Sequence, residues 1–265
     1  MGFFSGKVVI VTGSSNGIGR GTAVLFAKHG AKVTITGRNP ASLEETKTQC
    51  LQAGAKHDDI LELIGEITDE SFNEKLISST VQKWGKLDVL VNNAGGGVSV
   101  ANFGKGILDI PLHEFDQTID LNVKHVLRLS KLAVPHLEET KGAIVNVSSI
   151  AAKHTLSVGP YYSTAKSALD QITVQMAGSL IKKGIRVNSV NPGPVTTNGF
   201  VTAGATKEQQ DAIFGGMAKA IPIGRSGVPE DIGKVILFLA DRSQSEILIG
   251  HILTADGGVT IKSSI

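Results

Sequence analysis

Short apolar runs recur along the chain, and most are followed by a stretch whose apolar positions return every three or four residues. "KVVIVTG", from Lys7, is a β-branched run closed by glycine, the composition of a short strand buried on both faces. "GRGTAVLFAKHG" follows at helical spacing, with Gly30 placed as its C-cap. "KVTITG", from Lys32, is a second strand, and Asn39-Pro40 opens a second helix, since proline is tolerated in a first turn. "DILELIG" from Asp59, "LDVLVNNAG" from Leu87, "GAIVNVSS" from Gly142, "IRVNSVNPG" from Ile185 and "HILTADGG" from His251 extend the strand series. Between them the spacing predicts an amphipathic helix that pairs Phe72 with Leu76. It also predicts a long helix around His113–Leu137, another about Tyr161–Lys183, and an isolated one near Lys207–Lys219.

Repeated strand–helix units imply parallel pairing through right-handed crossovers. The expected fold is α/β: one doubly wound Rossmann-type domain over residues 1–265, its mostly parallel sheet covered by helices on both faces. The least regular part, Gly193–Arg225, is the expected substrate-loop region.

Composition narrows the function. With 41% hydrophobic residues in 265, the chain can bury a substantial core. A net charge of +2, with no basic run longer than Lys182-Lys183, argues against a nucleic-acid partner. Cys50 stands alone, so no internal disulfide is expected and a reducing compartment fits. The start of the chain lacks a basic n-region, Gly6 stands where a myristoylation motif needs Ser or Thr, and no 18-residue apolar run occurs. These features predict a soluble, cytoplasmic protein with no membrane partner. No His or Cys spacing suggests a metal site. The sequon at Asn146 falls on an expected buried strand, and Trp84 reads as a helix-end packing residue.

"TGSSNGIG", Thr12 to Gly19, fits two chemistries. As G-x-S-x-G it would make Ser15 the nucleophile of a hydrolase elbow. As a glycine-rich strand-to-helix turn it would seat the phosphates of a dinucleotide on the free amides of a helix N-terminus. Ser15 follows the first strand rather than lying well into the chain, and only His251 is placed as a triad base, so the phosphate seat is favoured. In that seat Gly13 permits the tight turn, Gly17 the backbone approach, and Gly19 close helix packing. After the second strand, "TGRN" has Gly37 where an NAD-binding turn carries an acid, and Arg38 next. A guanidinium grips a 2′-phosphate bidentately, which favours NADP over NAD.

"YYSTAK" sets Tyr162 and Lys166 one helical turn apart, and Ser149 ends a strand on the same crevice-facing edge. A carbonyl that accepts hydride needs a proton donor, and a free phenol, with pKa about 10, is a poor match near neutrality. A cation about 4 Å away at an effective dielectric near 20 supplies on the order of 4 kcal/mol, enough to lower a phenol by about 3 units. Lys166 is the expected source. Tyr161 is the other candidate phenol, but its i+4 partner is Ala165.

Taken together, these segments resemble the short-chain dehydrogenase/reductase family over nearly the whole chain. "TGSSNGIG" resembles its cofactor loop, "NNAG" its central-strand motif, "YSTAK" its Tyr-x-x-x-Lys site, "NPGPVTT" the segment beside the nicotinamide, and "DGG" its closing element. The resemblance implies Tyr162 as acid/base, Lys166 as its partner and a nicotinamide-ribose contact, Ser149 at the substrate oxygen, and Asn122 in "LNV" as the holder of a proton-relay water. It implies cofactor contacts from Gly13, Ser15, Asn16, Gly17, Ile18 and Gly19, from Arg38 and Asn39, and from Glu66 and Ile67. Asn93, Ala94 and Gly95, then Pro192, Gly193, Val195 and Thr197, complete the set. Glu66 departs from the aspartate usual beside the adenine, and Gly96–Asp109 runs a few residues long, as a substrate rim or a permissive loop.

The expected function is an NADP(H)-dependent oxidoreductase, a carbonyl reductase, that interconverts a ketone and a secondary alcohol. The other class of reading is a non-catalytic NADP-binding sensor or interaction protein on the same fold. Phe200, Phe214, Met217, His154 and Leu156 are expected in the pocket wall, which suggests a medium-sized hydrophobic or alicyclic ketone. A sugar or polyol, or an acyl-carrier thioester, stays open, and the tropinone reductase branch is one relative to test. The resemblance further implies a homotetramer, or a homodimer.

Overall fold

The computed structural model describes residues 2–97, 102, 104–154, 159–197, 206–218 and 221–261. Seven strands form one sheet in the order β3-β2-β1-β4-β5-β6-β7, every neighbouring pair parallel. They are β1 (Val8–Val11), β2 (Lys32–Gly37), β3 (Ile60–Ile64), β4 (Val89–Asn92), β5 (Ala143–Val147), β6 (Arg186–Pro192) and β7 (Ile252–Ala255). The helices are α1 (Gly17–Lys28), α2 (Pro40–Gln52), α3 (Glu70–Trp84), α4 (Leu112–Ile119), α5 (His125–Thr140), α6 (Pro160–Leu180), α7 (Lys207–Ala218), α8 (Pro229–Ala240) and α9 (Arg242–Ser245).

Successive side chains of a strand leave opposite faces, so β1 feeds two cores. Val9 and Val11 join Phe26, Leu43 and Ile236 of α1, α2 and α8. Val8 and Ile10 join Leu76, Leu129 and Ala177 of α3, α5 and α6. Removing each such side chain from water stabilises the fold by roughly 1.5–3 kcal/mol. This two-sided covering explains why the strands carry continuous apolar runs.

Local chemistry places the helix ends. Asn39 caps α2, its Oδ1 accepting from Ser42 N at 3.0 Å. Asp69 caps α3, accepting from Ser71 N at 2.9 Å, and α3 ends on Gly85 at φ 75°. The residue capping α1 is His29, and Gly30 follows it in the left-handed region at φ 84°.

Two elements differ from the sequence reading. The long helix around His113–Leu137 is interrupted: α4 stops at Ile119, and Asp120–Lys124 form a π-helical turn before α5 begins. Helix α8 is absent from the sequence reading, although Ile232, Gly233, Ile236, Leu237, Leu239 and Ala240 give it a buried face at helical spacing. It packs directly on α1, where a Cβ on Gly233 would meet Leu25 Cδ1 at 2.7 Å and one on Gly21 would meet Pro229 at 2.8 Å. No helix among the described residues is long and apolar enough to cross a membrane.

Candidate active site

At the C-terminal ends of the strands lies a cleft of about 890 Å³. The turn from β1 into α1 forms its floor. Gly13 turns at φ 62°, and a Cβ there would meet Ala94 Cα at 2.9 Å. A Cβ on Gly19 would come within 2.3 Å of the Gly13 carbonyl. The cap residue Asn16 makes no side-chain bond to the helix, and the first turn of α1 holds no acid. An N-terminus so exposed, with backbone amides free and no negative charge, attracts an anion.

The turn is held from three sides. Thr12 Oγ1 accepts from the amides of Asn93 and Ala94, both at 2.9 Å. Asn93 Nδ2 donates back to Thr12 O at 2.8 Å and Gly13 O at 3.1 Å. Arg20 donates to the Ser15 and Ser42 carbonyls and to Thr46 Oγ1. The "NNAG" segment therefore locks the loop as well as lining the cleft.

The second side of the cleft is built by β5 and α6. An amide chain runs from Asn92 Nδ2 to Asn146 Oδ1 at 2.9 Å, then from Asn146 Nδ2 to Thr173 Oγ1 at 2.8 Å. It fixes the register of α6 against the sheet and so brings Tyr162 and Lys166 to the cleft wall beside Ser149. Buried Asn146 is thereby a structural ladder member.

Lys166 is 3% exposed, donates from Nζ to Val147 O at 2.9 Å, and lies 5.6 Å from the centre of the Tyr162 ring. Burial lowers its ammonium to about 8, and Asp170 opposes that shift. Burial raises the Tyr162 phenol above its ordinary value, with the Ser149 hydroxyl acting the other way. The expectation that Lys166 depresses the phenol is therefore not met in this geometry. The amine bonds to the strand instead, and desolvation outweighs the neighbouring hydroxyl.

The remaining predicted residues divide. Ser15, Asn16, Gly17, Ile18, Arg38, Glu66, Ile67, Ala94, Gly95, Pro192, Gly193, Val195 and Thr197 all line the cleft. Asn39 does not: its side chain is committed to capping α2. Asn122 is fully buried behind the wall, its side-chain amide bonded to Gly96 and Thr118. Tyr161 points elsewhere, donating to Ile110 O at 3.0 Å and stacking edge-on against Phe115. No histidine lines the cleft and His251 is exposed, so among the described residues Ser15 has no triad base there. Phe200 and Leu156 lie outside the described residues, as do the side chains of Phe214 and Met217; His154 is exposed. Of Gly96–Asp109, Asn102 is buried and Ile107–Asp109 form a 3-10 turn.

Sequence reasoning missed Gln117, Asp120 and Leu121, which the end of α4 and the π turn bring to the rim. No periodicity marks them. It also missed Thr36, whose place at the end of β2 could have been read from the strand itself.

An all-parallel sheet with a glycine-cradled anion seat at its switch point, and a Ser–Tyr–Lys group facing that seat, defines a dinucleotide-binding α/β protein. A family model described as enoyl-(acyl carrier protein) reductase matches residues 13–260. A short-chain dehydrogenase/reductase of unknown function from Caenorhabditis elegans, solved with cofactor, is 44% identical at TM-score 0.95, covering 99% of this chain and 98% of its own. An apo-form glucose dehydrogenase of the same organism is 46% identical at TM-score 0.84, covering 97% and 99%. The 7α-hydroxysteroid dehydrogenase of Escherichia coli is 32% identical over 254 residues, covering 96% and 94%. A 7α-hydroxysteroid dehydrogenase solved with NADH and 7-oxo glycochenodeoxycholic acid superposes at TM-score 0.84 with 33% identity, covering 96% and 94%. The chain belongs to the short-chain dehydrogenase/reductase family, and it is an oxidoreductase of that family.

Proposed function

We propose that the protein is an NADP(H)-dependent oxidoreductase that interconverts a carbonyl and a secondary alcohol, working as a single dinucleotide-binding catalytic unit. The observation that carries this reading is the shared cleft: the glycine cradle, Arg38, Ser149, Tyr162 and Lys166 all face one space. A Cβ at Gly13, Gly17 or Gly19 would crowd a neighbour, so the cradle fits a ligand that approaches the backbone closely. A nicotinamide cofactor, when bound, supplies or accepts the hydride.

The chain's own residues do the rest. The cradle amides would hold the phosphates, and Arg38, with no carboxylate at Gly37 beside it, would hold a 2′-phosphate. A Cβ at Gly37 would lie 2.7 Å from Ser15 Cβ, so the loop itself leaves no room for an acid there. Ser149 orients the substrate oxygen. Tyr162 holds the transferred proton on Oη, and its raised value keeps the phenol protonated, the form that a reduction consumes. Lys166, held by Val147 O beside the Tyr162 ring, places a positive charge in the cleft wall and would hold the nicotinamide ribose. Asn122 supports the wall of the relay.

A panel of ketones and alcohols assayed with NADPH and NADH in parallel tests the reading. Tyr162→Phe should lose turnover by about 10²–10⁴-fold and keep cofactor binding. Full turnover in that variant would overturn the acid/base role, and cofactor binding without turnover of any panel compound by the wild type would favour a sensor. Equal rates with the two cofactors would overturn the NADP assignment.

A further inference from the structure

Behind the cleft wall lies a buried carboxylate, Asp170, that the catalytic scheme does not use. Asp170 follows Lys166 by four residues on α6, which sets the two on one helix face. Both are buried, Lys166 at 3% and Asp170 at 8% exposure, and Asp170 does not line the cleft. Asp170 Oδ2 accepts from Asn191 Nδ2 at 2.7 Å, and its Oδ1 has no hydrogen-bond partner. The same Asn191 amide donates to the Ser149 carbonyl at 3.1 Å, while Asn191 Oδ1 shares a 3.2 Å bond with Ser189 Oγ. A single strand residue thus joins the carboxylate to the backbone of the site serine.

Resting on the Tyr162–Lys166 reading above, we infer that Asp170 is a positioning residue: held by Asn191, it is the buried counter-charge that keeps the Lys166 side chain an ammonium beside Tyr162, and it ties that charge to the Ser149 turn. A buried carboxylate is tolerated only with a paired charge or hydrogen bonds. Asp170 has only neutral hydrogen-bond partners, the Asn191 amide and the Ser148 hydroxyl. Its charge supports Lys166 against burial, and burial in turn raises Asp170 itself, opposed by the Asn191 and Ser148 bonds and then by the charges of Lys153 and Lys166. The other groups around the pair do not replace it. Tyr162 is neutral when protonated, Lys153 is a cation, and His125 on α5 is a buried imidazole that Lys166 itself pushes toward neutrality.

The test reads Lys166 directly. In the full-length protein labelled with ¹³Cε-lysine, the Lys166 resonance, assigned by its loss in Lys166→Met, is titrated by NMR. Asp170→Asn keeps an acceptor for Asn191 but removes the charge. It should weaken the proton affinity of Lys166 about tenfold and shift the alkaline limb of kcat/KM to lower pH by the same factor. Asp170→Glu should restore both. An unchanged Lys166 midpoint in Asp170→Asn overturns the proposal, since a merely structural bond would leave it in place. If Asp170→Asn does not fold, the ¹³Cγ resonance of Asp170 in the wild-type protein decides. An ionised carboxylate where Lys166 titrates supports the pairing, and a protonated one overturns it. The midpoints need no turnover, so failure of the enzymatic reading shows separately, as activity retained by Tyr162→Phe.

Discussion

Asn122 and Gly96 hold each other by a reciprocal pair of bonds: Gly96 N donates to Asn122 Oδ1 at 3.0 Å, and Asn122 Nδ2 donates to Gly96 O at 2.9 Å. The π turn is what lets this happen, because it swings a helical side chain toward a loop 26 residues earlier. Asn122→Ala should therefore destabilise the fold by about 1–3 kcal/mol, through polar backbone groups left unpaired. It should also lower kcat more than it raises KM. Urea unfolding beside steady-state kinetics checks both, and an unchanged midpoint would mean that the loop does not depend on this amide.

Arg38 is already engaged in a weak ion pair. Arg38 Nη1 lies 3.4 Å from Glu66 Oε2 at the cleft mouth, and both side chains are largely exposed. Glu66 thus competes for the guanidinium that a 2′-phosphate would use. Glu66→Gln should tighten NADPH binding and leave NADH almost unchanged. Arg38→Leu should weaken NADPH by roughly 10–100-fold, the worth of a charge-assisted bond. Fluorescence titration with both nucleotides distinguishes these outcomes from a non-specific loss.

Activity and stability should part company at alkaline pH. The Lys166 ammonium lies at about 8 in the folded protein against 10.5 for the free group. Above pH 8 the folded chain releases this proton before the unfolded chain does. The unfolded state then binds more protons, so this group's contribution to stability rises from pH 8 to 10.5. Over the same range kcat/KM should fall. A rate profile and a thermal melt measured in the same buffers check the pair. A joint decline would point to unfolding instead.

His125 sets the acid side. It is fully buried on α5, and burial together with the Lys166 charge lowers it to about 4. Its unfolded counterpart takes up a proton near pH 6.5, so stability falls as pH drops from 6.5 toward 4. The loss from this group approaches about 3 kcal/mol at the bottom of the window. His125→Met should flatten the acid limb of a stability profile. A profile as steep as that of the wild type would assign the limb to carboxylates.

Arg186 closes the end of α8. The guanidinium is 1% exposed and donates to Leu239 O at 2.9 Å, Ala240 O at 3.1 Å and Ser245 O at 3.0 Å. These are terminal carbonyls of α8 and α9, where a cation is favoured. Arg186→Met would leave the acceptors buried and unpaired, and a loss of about 3–5 kcal/mol is expected in denaturant unfolding. Arg186→Lys should recover only part of it, because one ammonium cannot span the fork.

The fold was legible wherever its cause is local. The strand "KVTITG" was read with its true bounds, and Asn39-Pro40 did start a helix, because strand runs and helix caps depend on adjacent residues. What escaped depends on distant partners. The spacing 3.6 runs through Asp120–Lys124 without a break, so the π turn left no trace in the periodicity, and neither did the bonds from Asn122 to Gly96. Asn39 looked like a cofactor contact because its place beside Arg38 is visible in sequence and the Ser42 bond is not. Tyr162 and Lys166 were read correctly as neighbours, but helical spacing says nothing of the Val147 carbonyl that draws the amine to the sheet.

The order of the strands bears on how the chain reaches this form. Val9 of β1 pairs on one side with Val33 and on the other with Val89. This interior strand, third in the sheet, is thus among the first segments made, yet one of its edges waits for a partner about 80 residues downstream. At a translation rate of 5–20 residues per second that edge stays open for roughly 4–16 s. A nascent chain in this interval presents a bare β-branched ribbon to its surroundings, so chaperone occupancy should peak there and fall once Val91 has left the ribosome.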